Sequence, residues 1–330
     1  MASPQVGVVS TQDLTTLFTA VDTAFSQISF DEQTIADKIS FLKSGIAGKE
    51  EVVPFSPVGG KEVTWQLGDQ RKVVSPLIYQ CRVINERIAP PDEQAYMATL
   101  DWDAYGVLKG KLQQMMSRSK RVWDRRLATT MLANPTGFDG VSLWNTAHPV
   151  NPNEPAFGTY SNDISNVDID EAGLATVLDA LKKIKWMDNN ILNAYDDGLV
   201  LVVPTMSLYI KARKFIFGTL TPQAGPAANT SVAASNPYQG LGGMIKDVFL
   251  LPELDDGTLA NQKRWYVLNC SSPALRPLIT SVVHQPIFHY SGLNPNDYPR
   301  VQYGAVLYGW EANGGCAAGL PQLTVRGNLP

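Results

Sequence analysis

Between residues 103 and 133 the chain reads DAYGVLKGKLQQMMSRSKRVWDRRLATTMLA, with no proline and with both glycines in its first turns. Tyr105, Leu108, Leu112, Met115, Val122 and Met131, with Trp123 and Leu127 beside them, recur at steps of three and four, the spacing of one apolar helix face. This predicts a single helix over 103–133, ~45 Å long at ~1.5 Å per residue. Its polar side carries Lys109, Lys111, Arg118, Lys120, Arg121, Arg125 and Arg126, and a basic run of this kind ordinarily faces water.

Earlier in the chain, Leu14, Leu17, Phe18, Val21, Phe25 and Ile28 predict a helix over 10–29 with Ser10 as its cap. The pattern fits an arm packed on something else and an ordinary helical layer equally well. Ile35, Ile39 and Leu42 predict a short second segment before the break at Gly45–Gly48. From Val52 to Arg87 the residue types change. The segments KEVTWQL and LIYQCRVI are rich in β-branched and aromatic side chains, and Gly68-Asp69 lies between them, which reads as a long β-hairpin. Pro54, Pro57, Pro76 and Gly59-Gly60 suit edge strands, and a hairpin with little core of its own needs a surface to lie on.

Pro90-Pro91 closes this section, and Asn134-Pro135 stops the long helix. FDGVSLWNTAHPVNP, residues 138–152, is a turn-rich stretch around a short strand. A helix is predicted over 170–187, a fully buried strand over Leu199–Val203, and a helix capped by Thr205 through Leu208, Ile210 and Phe215. Residues 218–243 form a Gly/Ala/Asn/Pro tract predicted to be a loop that buries little. Strands follow at 244–251, 265–270 and 278–290, and the alternation from Tyr303 to Gly309 gives way to glycine. Helices and strands mix without regular β-α-β alternation, so the fold class is α+β.

At 330 residues the chain exceeds the usual size of one core, which predicts two domains or an extended multi-part subunit. Its 44% hydrophobic and 18% charged residues exclude disorder throughout. A net charge of −4 excludes a polycation that binds nucleic acid through bulk charge, so any such contact must be local. Cys81, Cys270 and Cys316 are widely spaced and odd in number, against a disulfide framework or structural zinc. Neither a signal peptide nor a membrane-length apolar run is seen, so a soluble protein of a reducing cytoplasm is expected, with no membrane partner.

Catalytic chemistry finds little footing. There is no G-x-S-x-G, H-E-x-x-H or G-x-x-x-x-G-K-[ST]. His284 and His289, five apart in a predicted strand, point to opposite faces and make poor joint metal ligands. His148 precedes a proline in a turn, the setting of a hydrogen-bonding histidine. The pairs Asp196-Asp197 and Asp255-Asp256 read as turn residues, Asp101 and Asp103 as helix-entry charges, and G-L-G-G at 240–243 follows no strand. The expectation is a protein that is no enzyme and uses no cofactor or metal; the alternative is an enzyme with a nonstandard site around His148 and nearby carboxylates.

The stretch F-D-G-V-S-L-W-N-T-A-H-P-V, residues 138–150, resembles the D-G-x-x-[LF]-F-x-T-x-H-P element of major capsid proteins of tailed bacteriophages, in particular the Mu-like major head subunit family. The matching positions are Asp139, Gly140, Trp144, Thr146, His148 and Pro149, with Trp144 in place of the usual phenylalanine. L-x-x-L-F-x-x-x-x-x-A-F at Leu14–Phe25, D-W-D-A-Y-G at Asp101–Gly106 and the Gly-rich tail near Gly314–Leu323 agree with it.

The resemblance implies an HK-ninety-seven-type capsid fold. It implies an N-terminal arm over 1–50, an extended E-loop hairpin over 51–91, and a peripheral domain over 92–167 with a spine helix at 103–133. An axial domain would span 168–283 with its loop at 218–243, and 284–330 would return to the peripheral domain and form the tail. The expected partners are further copies of the chain in pentamers and hexamers, and packaged double-stranded DNA touched non-specifically, with scaffold, portal and decoration proteins as additional candidates. The expected location is the virion capsid, and the host cytoplasm during assembly. Arg118, Arg121 and Arg125 are candidates to face the genome. An encapsulin-like compartment shell is the alternative within the same fold.

Overall fold

The computed structural model describes residues 11–26, 34–45, 48–55, 78–97, 105–191, 198–218, 220–224, 231–235, 244–273 and 275–330. Helix α1 (Thr11–Ser26) precedes the short α2 (Ile35–Ile39) and strands β1 (Ser40–Ser44), β2 (Glu50–Phe55), β3 (Tyr79–Ile84), β4 (Glu86–Ile88) and β5 (Glu93–Tyr96). Helices α3 (Tyr105–Lys120) and α4 (Val122–Ala133) lead to β6 (His148–Pro149), β7 (Thr159–Tyr160) and β8 (Asp163–Ile164). Then come α5 (Glu171–Lys183), β9 (Leu199–Val203), α6 (Met206–Phe217), β10 (Leu220–Ala224), β11 (Ser231–Ser235) and β12 (Ile245–Leu250). The chain ends with α7 (Leu259–Gln262), β13 (Arg264–Asn269), β14 (Leu278–Ser291), α8 (Tyr298–Tyr303), β15 (Ala305–Ala318) and β16 (Thr324–Asn328).

The first sheet is ordered β1-β14-β15-β4, with β5 also paired to β15. Its backbone is the antiparallel β14–β15 pair, running from Leu278↔Ala318 to Ser291↔Leu307 with irregularities around His284. Helix α1 lays Leu14, Phe18, Val21 and Phe25, spaced four, three and four, against it. Phe18 meets Phe288, Tyr290 and Tyr308 at centroid distances of 5.9, 5.2 and 5.9 Å, and Phe25 stacks on Phe288 at 5.4 Å. The surface under this helix, open in the sequence, is therefore the chain's own sheet.

The second sheet is ordered β12-β9-β13-β16-β8. Strand β9 is buried at every position because both faces of this sheet are covered. Val200 and Val202 of β9, with Tyr266 and Leu268 of β13, face the larger core shared with α1, α3 and α4. Leu199, Leu201 and Val203, with Trp265 and Val267, face a second core closed by α5 and α6. Asp170 and Thr205 cap these two helices, accepting from Gly173 N at 2.8 Å and Leu208 N at 3.4 Å.

Three expectations need correction. The predicted single helix over 103–133 is two helices: Arg121 leaves the helical path (φ −98°, ψ 14°) and the chain restarts at Val122. At the break the Arg118 carbonyl accepts from Arg125 Nη2 at 2.6 Å, while Arg121 Nη2 bonds Glu253 Oε2 at 2.9 Å. Side chains thus take up polar demand that a continuous helix would meet through its own ladder. Second, the glycine tail does not dissolve: β15 continues through Gly309, Gly314 and Gly315. A methyl group on Gly315 would collide with the Ile84 carbonyl, and one on Gly314 with the Ser281 carbonyl and the Trp123 ring. Glycine is here a device for close strand packing. Third, the tract 218–243 contains a hairpin, β10 against β11, rather than loop alone. The KEVTWQL strand, Asp101, Asp103, Asp196, Asp197 and G-L-G-G lie outside the described residues.

Two outcomes follow for urea unfolding of the unassembled subunit. Gly315→Ala lowers stability by about 1–3 kcal/mol through overpacking. Gly106→Ala, at an exposed helical site where a Cβ meets nothing within 4 Å, raises it by about 0.5–1 kcal/mol. In the second sheet, burial pushes the Asp163 carboxyl up, but the Arg326 fork (2.9 and 2.5 Å) and Asn328 outweigh this and hold it below the usual carboxylate range. A depressed folded-state pKa gives stability that is present above about pH 4 and is lost as pH falls through the folded value. Asp163→Asn is therefore expected to flatten the acid limb of the stability profile.

Candidate functional site

The base of the predicted hairpin is the β2–β3 pair, in register from Glu50↔Ile84 to Phe55↔Tyr79. Its inner side presents Glu51, Cys81 and Val83. Glu51 is 5% exposed, and a buried carboxylate requires partners. Ser281 of β14 donates to it at 2.6 Å, and Lys43 of β1 lies 2.5 Å away. Burial raises the Glu51 carboxyl, yet Lys43 and Ser281 bring it below its ordinary value. One charge thus ties the hairpin to the first sheet.

The opposite end of the pair is held by residues 137–153. Phe55 and Tyr79 stack across the strands at 5.8 Å, and Phe138 meets both edge-on at 4.9 and 5.4 Å. Phe138 sits in a turn closed by Gly137 N–H to the Val141 carbonyl (2.7 Å) and by Val141 N–H to Asp139 Oδ1 (3.2 Å), with Gly140 at φ +79°. A left-handed φ of this size favours glycine. The second Asp139 oxygen contacts His148 Nδ1 at 2.6 Å, with both side chains fully buried. The His148 ring stacks on Tyr160, its partner across β6–β7, at 5.2 Å. Beyond the motif, the Tyr79 hydroxyl donates to Asn151 at 3.1 Å and accepts from Asn153 at 3.0 Å.

Of the predicted motif residues, the fold brings together Asp139, Gly140, His148 and Pro149. Trp144 points elsewhere, into the larger core, where its Nε1 donates to Thr324 at 3.1 Å and its ring lies 4.8 Å from Tyr266. Thr146 is exposed. Phe138, Phe55, Tyr79 and Glu51 carry the brace but did not stand out in the sequence; the only signal was a carboxylate on the inward phase of an alternating strand. With neither the Asp139 nor the His148 side chain exposed, a substrate has no path to the carboxylate or the imidazole. Burial pushes the Cys81 thiol up to about 12, with Asp139 adding to it, and the Cys316 thiol to about 11. The groove of about 510 Å³ between β3, α4 and β15 is therefore lined by unreactive thiols. Among the described residues no cluster of three or more His, Cys, Asp or Glu is arranged to hold a metal, and no helix is long and apolar enough to cross a membrane.

The basic candidates stay close together but differ in state. Arg121 pairs with Glu253 at 2.8 Å, and Arg126 with Glu86 at 2.5 Å. Arg125 is spent on the Arg118 carbonyl, and burial lowers its pKa from the ordinary arginine value. Arg118 and Arg125, with Lys111, line a cleft of about 240 Å³ floored by Pro90, Met115 and Trp310.

Phe138→Ala is expected to destabilise the subunit by about 3 kcal/mol. Hydrogen exchange should locate the loss at β2–β3 ahead of the second sheet. Asp139→Asn should loosen the same segment by a smaller amount, since one buried bond to His148 is weakened.

The sequence matches no protein-family model and no curated protein. Solved structures do match. The capsid of the cyanophage P-SCSP1u superposes with a TM-score of 0.57 at 13% identity, covering 92% of this chain and 90% of that one. The capsid of a native GTA particle gives 0.55 at 9% identity over 92% and 93%. The mature capsid of bacteriophage PhiM1 gives 0.51 at 10% identity over 91% and 88%. At such identities the shared property is the fold, and over nine tenths of its length this chain has the α+β, HK-ninety-seven-type fold of phage capsid subunits.

Proposed function

We propose that this chain is the major capsid subunit of a tailed bacteriophage or prophage, of the Mu-like type that its D-G-x-x-L-W-x-T-x-H-P element resembles. Its copies assemble through pentamers and hexamers into an icosahedral shell around double-stranded DNA. The observation that carries this reading is the fold match over nine tenths of both chains. The domain plan is the one the resemblance implies: arm 1–50, hairpin 51–91, peripheral domain 92–167, axial domain 168–283, and 284–330 closing the peripheral domain and tail.

The mechanism rests on edges and symmetry. In this reading a hairpin whose base is fixed to its own subunit reaches a neighbouring copy, and one heterologous contact repeated around an axis closes a ring. Many weak contacts of this kind then hold a shell by multivalency. No catalytic residue, cofactor or metal is needed, and the buried Asp139–His148 pair serves the brace. Scaffold, portal and decoration proteins are further partners of such a shell, and assembly takes place in the host cytoplasm.

Electron microscopy of the recombinant protein after size-exclusion chromatography tests the reading. Closed shells, or rings of five and six subunits, are expected; a monodisperse monomer that persists with scaffold and DNA present would overturn it. For the genome contact, Arg118 is expected to matter more than Arg121, whose charge Glu253 already neutralises. Arg118→Ala should reduce the slope of log affinity against log salt by about 1 for duplex DNA, and Arg121→Ala should barely change it.

A further inference from the structure

Lys111, Gln114 and Arg118 form one exposed row of hydrogen-bond donors on α3. Their steps of three and four place them within a ~60° sector at ~100° per residue, with Lys109 and Lys120 roughly 150–170° away on the other side of the helix. Across the helix break Arg125 joins the row, because its Nη2 donates to the Arg118 carbonyl at 2.6 Å. The row lines the cleft of about 240 Å³, together with Pro90, Pro91 and Glu93 and the buried side chains of Met115 and Trp310.

The charges at this cleft do not cancel. Its lining holds Lys111, Arg118 and Arg125 against one carboxylate, Glu93, which lies 3.4 Å from Lys111 and accepts from the Tyr308 hydroxyl at 3.0 Å. Arg118 has no ion pair among the described residues. The acids close by are engaged elsewhere. Glu253 pairs with Arg121 at 2.8 Å, and the buried Asp124 accepts from the Ala36 N–H at 2.9 Å. Asp92 pairs with His289 at 2.9 Å and lies where a Gly309 side chain would point, on the face of β15 opposite to Trp310. Burial lowers the Arg125 pKa, Glu253 acts against this, and Arg121 and Arg118 add to the lowering, as guanidinium groups do when crowded with no anion between them.

We infer that this cleft is a phosphate site, in which Lys111 and Arg118 hold one phosphate group and the positive charge of Arg125 reinforces them. The rigid fork of an arginine and the point charge of a lysine suit a group that presents several oxygens, and the apolar side chains of the lining limit screening by water. A carboxylate fits less well, since Glu93 already offers one to Lys111 and the positive excess persists. The source of the group rests on the capsid reading: within a shell it is a backbone phosphate of the packaged duplex.

The test uses the full chain as unassembled subunits, titrated with sodium phosphate and separately with a short DNA duplex at ionic strength held constant with chloride. The indole resonance of Trp310, assigned with Trp310→Phe, is followed by NMR, and melting by circular dichroism establishes that each variant is folded. A saturable shift is expected. Arg118→Ala and Lys111→Ala each weaken phosphate binding by about tenfold or more. Lys109→Ala and Lys120→Ala remove the same charge from the far side of the helix and leave binding within about twofold. Arg118→Lys keeps the charge without the fork and loses less than Arg118→Ala. Competition of duplex and phosphate for the same resonance assigns a backbone phosphate, and a shift with phosphate alone assigns the free ion; either supports the site. No saturable shift with either probe, including the case where an acidic segment of another copy fills the cleft, would overturn it. So would equal losses in all four alanine variants, the result of a diffuse field. Electron microscopy of assembly separates the two readings. Shells formed by a chain that binds no phosphate leave the capsid reading standing, and phosphate bound by a chain that never assembles keeps the site and removes the capsid reading.

Discussion

The antiparallel β14–β15 pair is the support on which the other parts of the subunit depend. Helix α1 covers one end of it through Phe18 and Phe25, and β1, β4 and β5 extend it sideways. Its tightest point is at Gly314 and Gly315, where the backbone meets Trp123 from α4, Ser281 from β14 and the Ile84 carbonyl from β3. Three elements from distant parts of the chain converge there with no space for a side chain. That contact sets how close the helical layer and the hairpin base come to the sheet.

The hairpin base is held by chemistry of a different kind at each end. At one, Glu51 joins β1, β2 and β14 through Lys43 and Ser281. At the other, the Asp139–His148 pair fixes a turn whose useful product is Phe138, packed against Phe55 and Tyr79. The Glu51 carboxylate is held by Lys43 and Ser281 and the Asp139 carboxylate by His148 Nδ1 and the Val141 N–H, and these buried contacts specify one geometry for the hairpin's origin.

The long-helix region shows how local charges are consumed. Of its basic residues, Lys111, Arg121 and Arg126 are paired with Glu93, Glu253 and Glu86, and Arg125 serves the Arg118 carbonyl at the helix break. A sequence count of positive charge on that face overstates the field that a polyanion would meet.

Much of the architecture was legible in the chain because it rests on short-range periodicity: the apolar steps of α1, α5 and the 103–133 region, the uniform burial of β9, the Thr205 cap, and the residue types that announce β3. The D-G…T-x-H-P element was legible as a motif, though its purpose was not, since its effect passes through Phe138 to residues more than fifty positions earlier. What the sequence determined by itself was therefore the type and order of most elements and the α+β class, properties fixed by neighbours within a turn or a pleat. Whether the glycines of β15 end a strand or continue it, where the long helix breaks, which core α1 covers and which arginines remain uncommitted were decided by the tertiary structure alone. Each of those outcomes depends on a partner such as Ile84, Glu253 or Phe288 brought close only by folding, and no local pattern encodes such a distance.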